Sequence, residues 1–233
     1  MKLSDLKAVN AARTERRLCA VITPLDGSEG RVVFAADAAS DPLAGVLARR
    51  FASGTSGREA EAGVFVRIHR PSPRLVVIGA VHVTQALAPM AEAVGFEVTI
   101  IDPRGAFATE ERFGAFDFHA EWPDDALMKL DAETAVVTLT HDPKIDDIAL
   151  LAAMKADCFY IGALGSRKTH AKRIDRMTAA GVSEADMSRI HAPIGLAIGA
   201  ASPPEIAVSV LAEVIAALRG AETKAAAPER RAA

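Results

Sequence analysis

The sequence predicts an α/β fold: a Rossmann-like parallel sheet with helices on both faces, preceded by a small α/β domain. Three observations carry it. From Leu75 onward, short continuous apolar runs alternate with segments of helical spacing, the pattern of parallel strands covered on both faces by crossover helices. Glycines or charged clusters follow those runs, as in "LVVIGA", "VTIIDPRG", "VTLTHDP" and "YIGALGSR", where such sheets place their ligand loops. Ahead of them, "RPSPR" at Arg70 to Arg74 can continue neither a helix nor a central strand, so it links a domain of residues 1–70 to one of residues 74–220.

The first domain opens with a polar helix, followed by a strand at Leu18 to Thr23 and a turn at "PLDGSEG". A strand "RVVFAA", a helix from Pro42 to Ala52 and a strand "GVFVRIHR" complete it, and the Gly/Ser-rich "ASGTSGREAEAG", Ala52 to Gly63, is a loop by composition. In the second domain, "LVVIGA" is a strand, "HVTQALAPMAEAVG" a helix with a closing glycine, and "EVTIIDP" a strand. "FDFHAEWPDDALMKL" leads through a polar segment to the strand "TAVVTLTHD", the helix "PKIDDIALLAAMKA" and the strand "CFYIGALGS". The last helix, "SPPEIAVSVLAEVIAALRG", has Ser202 as N-cap, prolines in its first turn and Gly220 at its end. Residues 221–233, "AETKAAAPERRAA", are expected to be a disordered tail.

Composition excludes several classes of function. With 233 residues, 50% hydrophobic and 24% charged, the chain can bury a sizeable core, and no apolar run approaches the roughly 18 residues of a membrane span. Charges scattered through "MKLSDLKAVNAARTERR" leave no apolar signal-peptide core, so a cytoplasmic location is expected. The two cysteines, Cys19 and Cys158, each sit inside an apolar run and read as reduced core thiols, with no zinc-type spacing and no metal site. A net charge of -3 with one Trp and one Tyr gives no reason to expect nucleic acid.

Four loops are candidates for chemistry. In "GAVHVT" the first fingerprint glycine is Gly79, but Val81 and Thr84 stand where a dinucleotide loop has its second and third. His82 there either meets a ligand or caps the turn. In "IIDPRG", Asp102 is placed for a ribose, and Asp102 with Arg104 is expected to contact a ligand at the rim rather than form a plain surface pair. In "LTHDPKIDD", Asp142 before Pro143 reads as an N-cap, while His141 either donates to a ligand or satisfies the loop. In "YIGALGSRKTHAKR", Gly162 and Gly165 close a strand and Ser166, Arg167 and Lys168 open a helix, whose free N–H groups and positive dipole end favour a phosphate. Lys172 and Arg173, one turn on, read as a solvated basic face.

The segments "THDPKIDDIALLAAMKADCFYIGALGSRKTHAKR" and "HAPIGLAIGAASPPEIAVSVLAEVIAAL" together resemble the C-terminal Rossmann domain of the XdhC/CoxI family, from about Arg74 to Leu218. The resemblance implies an accessory protein, not an enzyme, that binds the molybdenum cofactor (molybdopterin), protects it and delivers it to an apo xanthine dehydrogenase-type molybdoenzyme. It implies that Gly162, Gly165, Ser166, Arg167 and Lys168 line the cofactor's phosphate side. His191, Pro193 and Gly195, in the "HAPIGL" run from His191 to Leu196, would belong to a facing loop. Implied partners are the large subunit of the client and a cysteine desulfurase. The chain departs from the family pattern at Val81, where the first loop usually reads GAGH, and at Ala197, where an acidic residue is usual. It also lacks an N-terminal "GGC" segment.

No catalytic nucleophile with its base is visible. Two alternatives stand beside the accessory reading: an NAD(P)-binding oxidoreductase on the same fold, supported by Asp102 and opposed by Val81, and a docking subunit whose cofactor site has decayed. The apolar face of Ile206 to Leu218 packs either against a twin, giving a homodimer, or against the chain's own sheet.

Overall fold

The computed structural model describes residues 2–105 and 110–220; the expected tail, residues 221–233, lies outside them. The chain divides into two compact units, one running to Pro71 and including Leu218–Gly220, the other spanning Ser72–Ala217.

The first unit holds α1 (Leu3–Thr14), β1 (Cys19–Pro24), β2 (Arg31–Phe34), a 3₁₀ turn (Ala35–Ser40), α2 (Ala44–Ser53), β3 (Gly57–Glu59) and β4 (Val64–His69). Its sheet is antiparallel, in the order β2-β1-β4-β3. Alternation along β1 explains why "CAVI" is apolar throughout. Ala20 and Ile22 pack with Leu47 and Phe51 of α2, whereas Cys19 and Val21 pack with Val9 and Ala12 of α1. The expected loop at Ala52 to Gly63 contains β3, which pairs Gly57 with Val66. Three residues reading "GRE" carry no strand signal; the pairing is made by their backbone, and Arg50 holds Glu59 at 2.8 Å.

The second unit continues with β5 (Arg74–Ile78), α3 (His82–Ala93), β6 (Glu97–Ile101), α4 (Glu110–Phe113), β7 (Asp117–His119), α5 (Asp125–Met128) and β8 (Thr134–Thr138). Then follow α6 (Pro143–Lys155), β9 (Tyr160–Ala163), α7 (Arg167–Ala179), α8 (Glu184–Met187), β10 (Ile190–His191) and α9 (Pro203–Leu218). All six strands are parallel, in the order β10-β9-β8-β5-β6-β7. This is the doubly wound Rossmann order. The chain steps outward from β5 to β7 and then returns to the other side of β5, so the loops after β5 and β8 diverge and open a crevice.

On one face Val76, Ile78, Val136 and Ile161 pack with Ile145, Ala149 and Leu150 of α6 and Met177 of α7. Tyr160 has the opposite parity and hydrogen-bonds Glu213 of α9, so α9 covers the other face. Both faces are therefore buried, which is why the strands read as unbroken apolar runs. Ala207, Val210, Leu211 and Val214 of α9 are buried within the chain, so the face that would meet a twin is occupied internally. Ser202 and Glu205 cap α9 together, the Glu205 carboxylate accepting from Ala201 and Ser202 backbone N–H groups at 2.7 and 3.0 Å. Among the described residues no helix is long and apolar enough to cross a membrane.

Candidate functional site

The ends of β5, β6 and β8 are tied into one piece by a single carboxylate. Asp102 is fully buried; its Oδ2 accepts from Ala80 N at 2.7 Å and Arg104 Nη2 at 2.8 Å, and its Oδ1 accepts from Arg104 N and Nε, both at 2.9 Å. Burial pushes this carboxyl up, but the Arg104 guanidinium and the two backbone donors outweigh it and hold it below the usual range. The expectation that Asp102 contacts a ligand is corrected: all its surface is consumed, and it positions the loops instead. Arg104 is correspondingly committed to Asp102, with Nη1 3.5 Å from Thr140 O. Gly79 is buried in the same knot, donating to Ile101 O at 2.9 Å. His82 and His141 are exposed at the ends of their loops. Asp142 caps α6, accepting from Lys144 N at 2.9 Å, as the capping reading expects.

Beyond β9 the expected phosphate cluster is divided. Gly162 lies inside the sheet, where an added Cβ would stand 2.5 Å from Ile194 Cδ1 and 2.7 Å from Tyr160 Cε1. Its smallness serves packing, which corrects its placement on a phosphate. After Gly165, Ser166 is the N-cap of α7 and accepts from Thr169 N at 3.2 Å. Arg167 and Lys168 are both exposed but line separate cavities, Arg167 with the loop after β10 and Lys168 with His141 at the start of α6. Arg173 is 2% exposed and donates to Leu164 O at 3.2 Å, which corrects its place on a solvated face. Helical side chains lean toward the N-terminus, and that lean carries its guanidinium back under the β9–α7 turn.

The Arg167 cavity is the larger, about 560 Å³, and His191, Pro193, Gly195 and Leu196 join its wall. Its foundation is Glu213, 9% exposed on α9. Glu213 Oε2 accepts from Tyr160 Oη at 2.6 Å and Gly195 N at 2.7 Å, while Oε1 lies 3.1 Å from His191 Nδ1. Burial raises the Glu213 carboxyl, yet bonds from His191, Tyr160 and Gly195 more than offset it, leaving it below the usual carboxylate range. Burial and the adjoining Glu213 charge push the Tyr160 phenol up and keep it protonated. With Nδ1 engaged, Nε2 is the polar atom that His191 has left for the cavity. Gly195 has φ +93°, and a Cβ there would stand 2.1 Å from Ser209 Oγ, so the loop's path depends on glycine.

Sequence reasoning missed Tyr160, Ser209 and Glu213. The signal available was Glu213 itself, an acid in "IAVSVLAEVIAAL", a stretch otherwise apolar apart from Ser209, since a carboxylate on a buried helix face needs partners. Among the described residues no group of three or more His, Cys, Asp or Glu side chains could hold a metal ion.

Residues 75–214 match the family model described as the XdhC Rossmann domain. The chain is 34% identical over 145 residues to the molybdenum cofactor insertion chaperone PaoD of Escherichia coli K12, covering 62% of this chain and 40% of that protein. It is 34% identical over 155 residues to a probable xanthine dehydrogenase subunit of Bacillus subtilis 168, covering 65% and 45%. It is 35% identical over 154 residues to the uncharacterised protein YqeB of E. coli K12, covering 65% and 28%. The matches thus span less than half the length of each of these curated relatives. A crystal structure of a xanthine dehydrogenase from Bacillus halodurans shares the fold, with a TM-score of 0.66 at 24% identity over 93% of this chain and 67% of that one.

Proposed function

The chain belongs to the XdhC family, which it matches over residues 75–214, and from that premise we propose that it binds the molybdenum cofactor and hands it to an apo xanthine dehydrogenase-type enzyme. Support comes from the relatives named as a molybdenum cofactor insertion chaperone and as a probable xanthine dehydrogenase subunit. The observation that carries the reading is the 560 Å³ cavity at the carboxyl end of the sheet, lined by Arg167 and His191.

The residues present suit a pyranopterin. That group has a flat hydrogen-bonding ring, a phosphate and an anionic sulfur-metal end. Arg167 supplies a fixed positive charge, His191 a polar atom, and Leu196, Ile198 and Ile206 apolar walls, in a volume typical of small-molecule sites. Bound there, the cofactor would supply the redox chemistry of the client, while this chain binds it and shields it from water. The client's large subunit would be the receiving partner, and a cysteine desulfurase the source of terminal sulfur. The nicotinamide reading has less support, because the carboxylate at the ribose position, Asp102, is consumed by Ala80 and Arg104.

The test is to purify the protein, oxidise it and measure the fluorescent pterin released, with Arg167→Ala alongside. Pterin retained by the wild type and reduced about tenfold in the variant is expected, the loss of one charge-assisted contact. No pterin in either, even after incubation with excess cofactor, would sink the proposal and favour a docking subunit.

A further inference from the structure

The second cavity, about 250 Å³ between α6 and α7, shares no lining residue with the first. Its chemistry is unusual for a surface cleft. Lys168, Lys172, Arg173 and Arg176 line it against two carboxylates, Asp146 and Asp147, so cations outnumber anions by two. The carboxylates are already committed: Asp147 holds Arg176 at 3.0 and 3.1 Å, and the buried Asp146 accepts from Thr140 Oγ1 at 2.6 Å.

Arg173 is the group that points to a ligand. A guanidinium carries five N–H donors, and this one, 2% exposed, donates to Leu164 O through Nη2. Its Nε and Nη1 are buried without a hydrogen-bond partner, and among the described ion pairs it has none. Buried charges are ordinarily paired and hydrogen-bonded. Asp146 acts on it only at a distance; desolvation remains the stronger influence and pushes its pKa down. A buried arginine with two unpartnered nitrogens beside two exposed lysines, at the first turns of a helix, is what an oxyanion would complete.

We propose that the α6–α7 cleft is a binding site for a phosphate-class oxyanion, either inorganic phosphate or the terminal group of a small phosphate monoester, with Arg173 as its buried anchor and Lys168 and Lys172 at its mouth. The site is separate from the proposed pterin cavity: Arg167 and His191 take no part in it, and Lys168, which the family resemblance sets on the cofactor's phosphate side, lines this cleft instead.

The test is calorimetric titration of the full chain in a phosphate-free, low-salt buffer, with inorganic phosphate and methyl phosphate as separate probes. Saturable binding of at least one is expected. Lys172→Ala, an exposed change that leaves the core intact, should weaken it about tenfold, the size of one charge-assisted bond. Arg173→Gln should abolish it. Asp146→Asn, which keeps an acceptor for Thr140 but removes a repelling charge, should tighten it. Tighter binding of methyl phosphate assigns the site to an ester, and tighter binding of phosphate to the free ion. No saturable heat with either probe overturns the proposal. So does binding that Lys172→Ala leaves unchanged or that Arg167→Ala weakens equally, and these outcomes leave the pterin measurement untouched.

Discussion

Tyr160 on β9 and Glu213 on α9 meet at 2.6 Å between the sheet and its covering helix, and the carboxylate oxygen that receives the phenol also receives Gly195 N–H at 2.7 Å. One side chain therefore fastens a strand, a helix and the loop that walls the larger cavity. Low local polarity makes each of these bonds strong and its loss costly.

Glu213→Ala would strand three polar groups at once. It should destabilise the second unit by about 3 kcal/mol or more, since an unsatisfied buried donor costs about 1–3 kcal/mol. Glu213→Gln keeps an acceptor for part of the set and should cost less than half as much. Urea unfolding followed by far-ultraviolet circular dichroism checks the order; an alanine variant as stable as wild type would rule out the fastening role.

The same carboxylate predicts an acid limb in stability. Glu213 is held below its ordinary value of 4.5, so the folded chain binds fewer protons than the unfolded chain as the pH falls toward that range. Its contribution is complete above about pH 5 and lost as the pH descends through the lowered value. Asp102, also lowered, adds a further loss below its ordinary 3.8. Urea midpoints from about pH 6 to about pH 3 should fall in the wild type and fall less in Glu213→Gln. Identical slopes would contradict this assignment.

Asp102→Asn leaves an amide N–H₂ where the carboxylate meets only donors, so either Ala80 N or the Arg104 head loses its acceptor. A loss of about 1–3 kcal/mol is expected, with faster hydrogen exchange at Ala80 and Arg104 than in the wild type. Unchanged exchange would show that the loops hold without it.

Gly195→Ala puts a methyl into Ser209 at a φ that favours glycine. The expected cost is about 2–3 kcal/mol, together with loss of pterin retention. Adding Ser209→Ala should restore only part of it, because Val210 N also lies 3.1 Å from the new Cβ.

Burial pushes the Cys158 thiol up to about 12 and raises that of Cys19. Neither should react with a thiol reagent at about pH 8 in the native protein, and both should react once urea is added. Rapid native labelling of either would mean that its surroundings open readily.

The doubly wound sheet is legible in the sequence because strands β5, β8 and β9 are buried along nearly their whole length and each is followed by a helix of 12 or 13 residues, long enough to show its period. Strand β6, followed by the four-residue α4, is legible from its own apolar run. Outer strands β3, β7 and β10 are not. They have three, three and two residues of mixed polarity, and the pairing of backbone groups leaves no trace in side-chain pattern. The loops of the site can be found from their glycines and charges. Which of those charges face a ligand depends on three-dimensional partners, so Asp102 and Arg173 read as outward groups in the sequence although both are buried. Glu213 is visible as an isolated acid, but its three partners come from segments 18 to 53 residues away.

The brevity of the outermost strands β7 and β10 has a consequence for how copies of this protein behave when crowded. A long, flat outer strand offers a row of unpaired amides onto which another sheet can grow. Here each flank of the parallel sheet offers only two or three such residues, one flank carrying Asp117 and His119 and the other ending at His191. Neither flank is a template long enough to seed aggregation by strand addition.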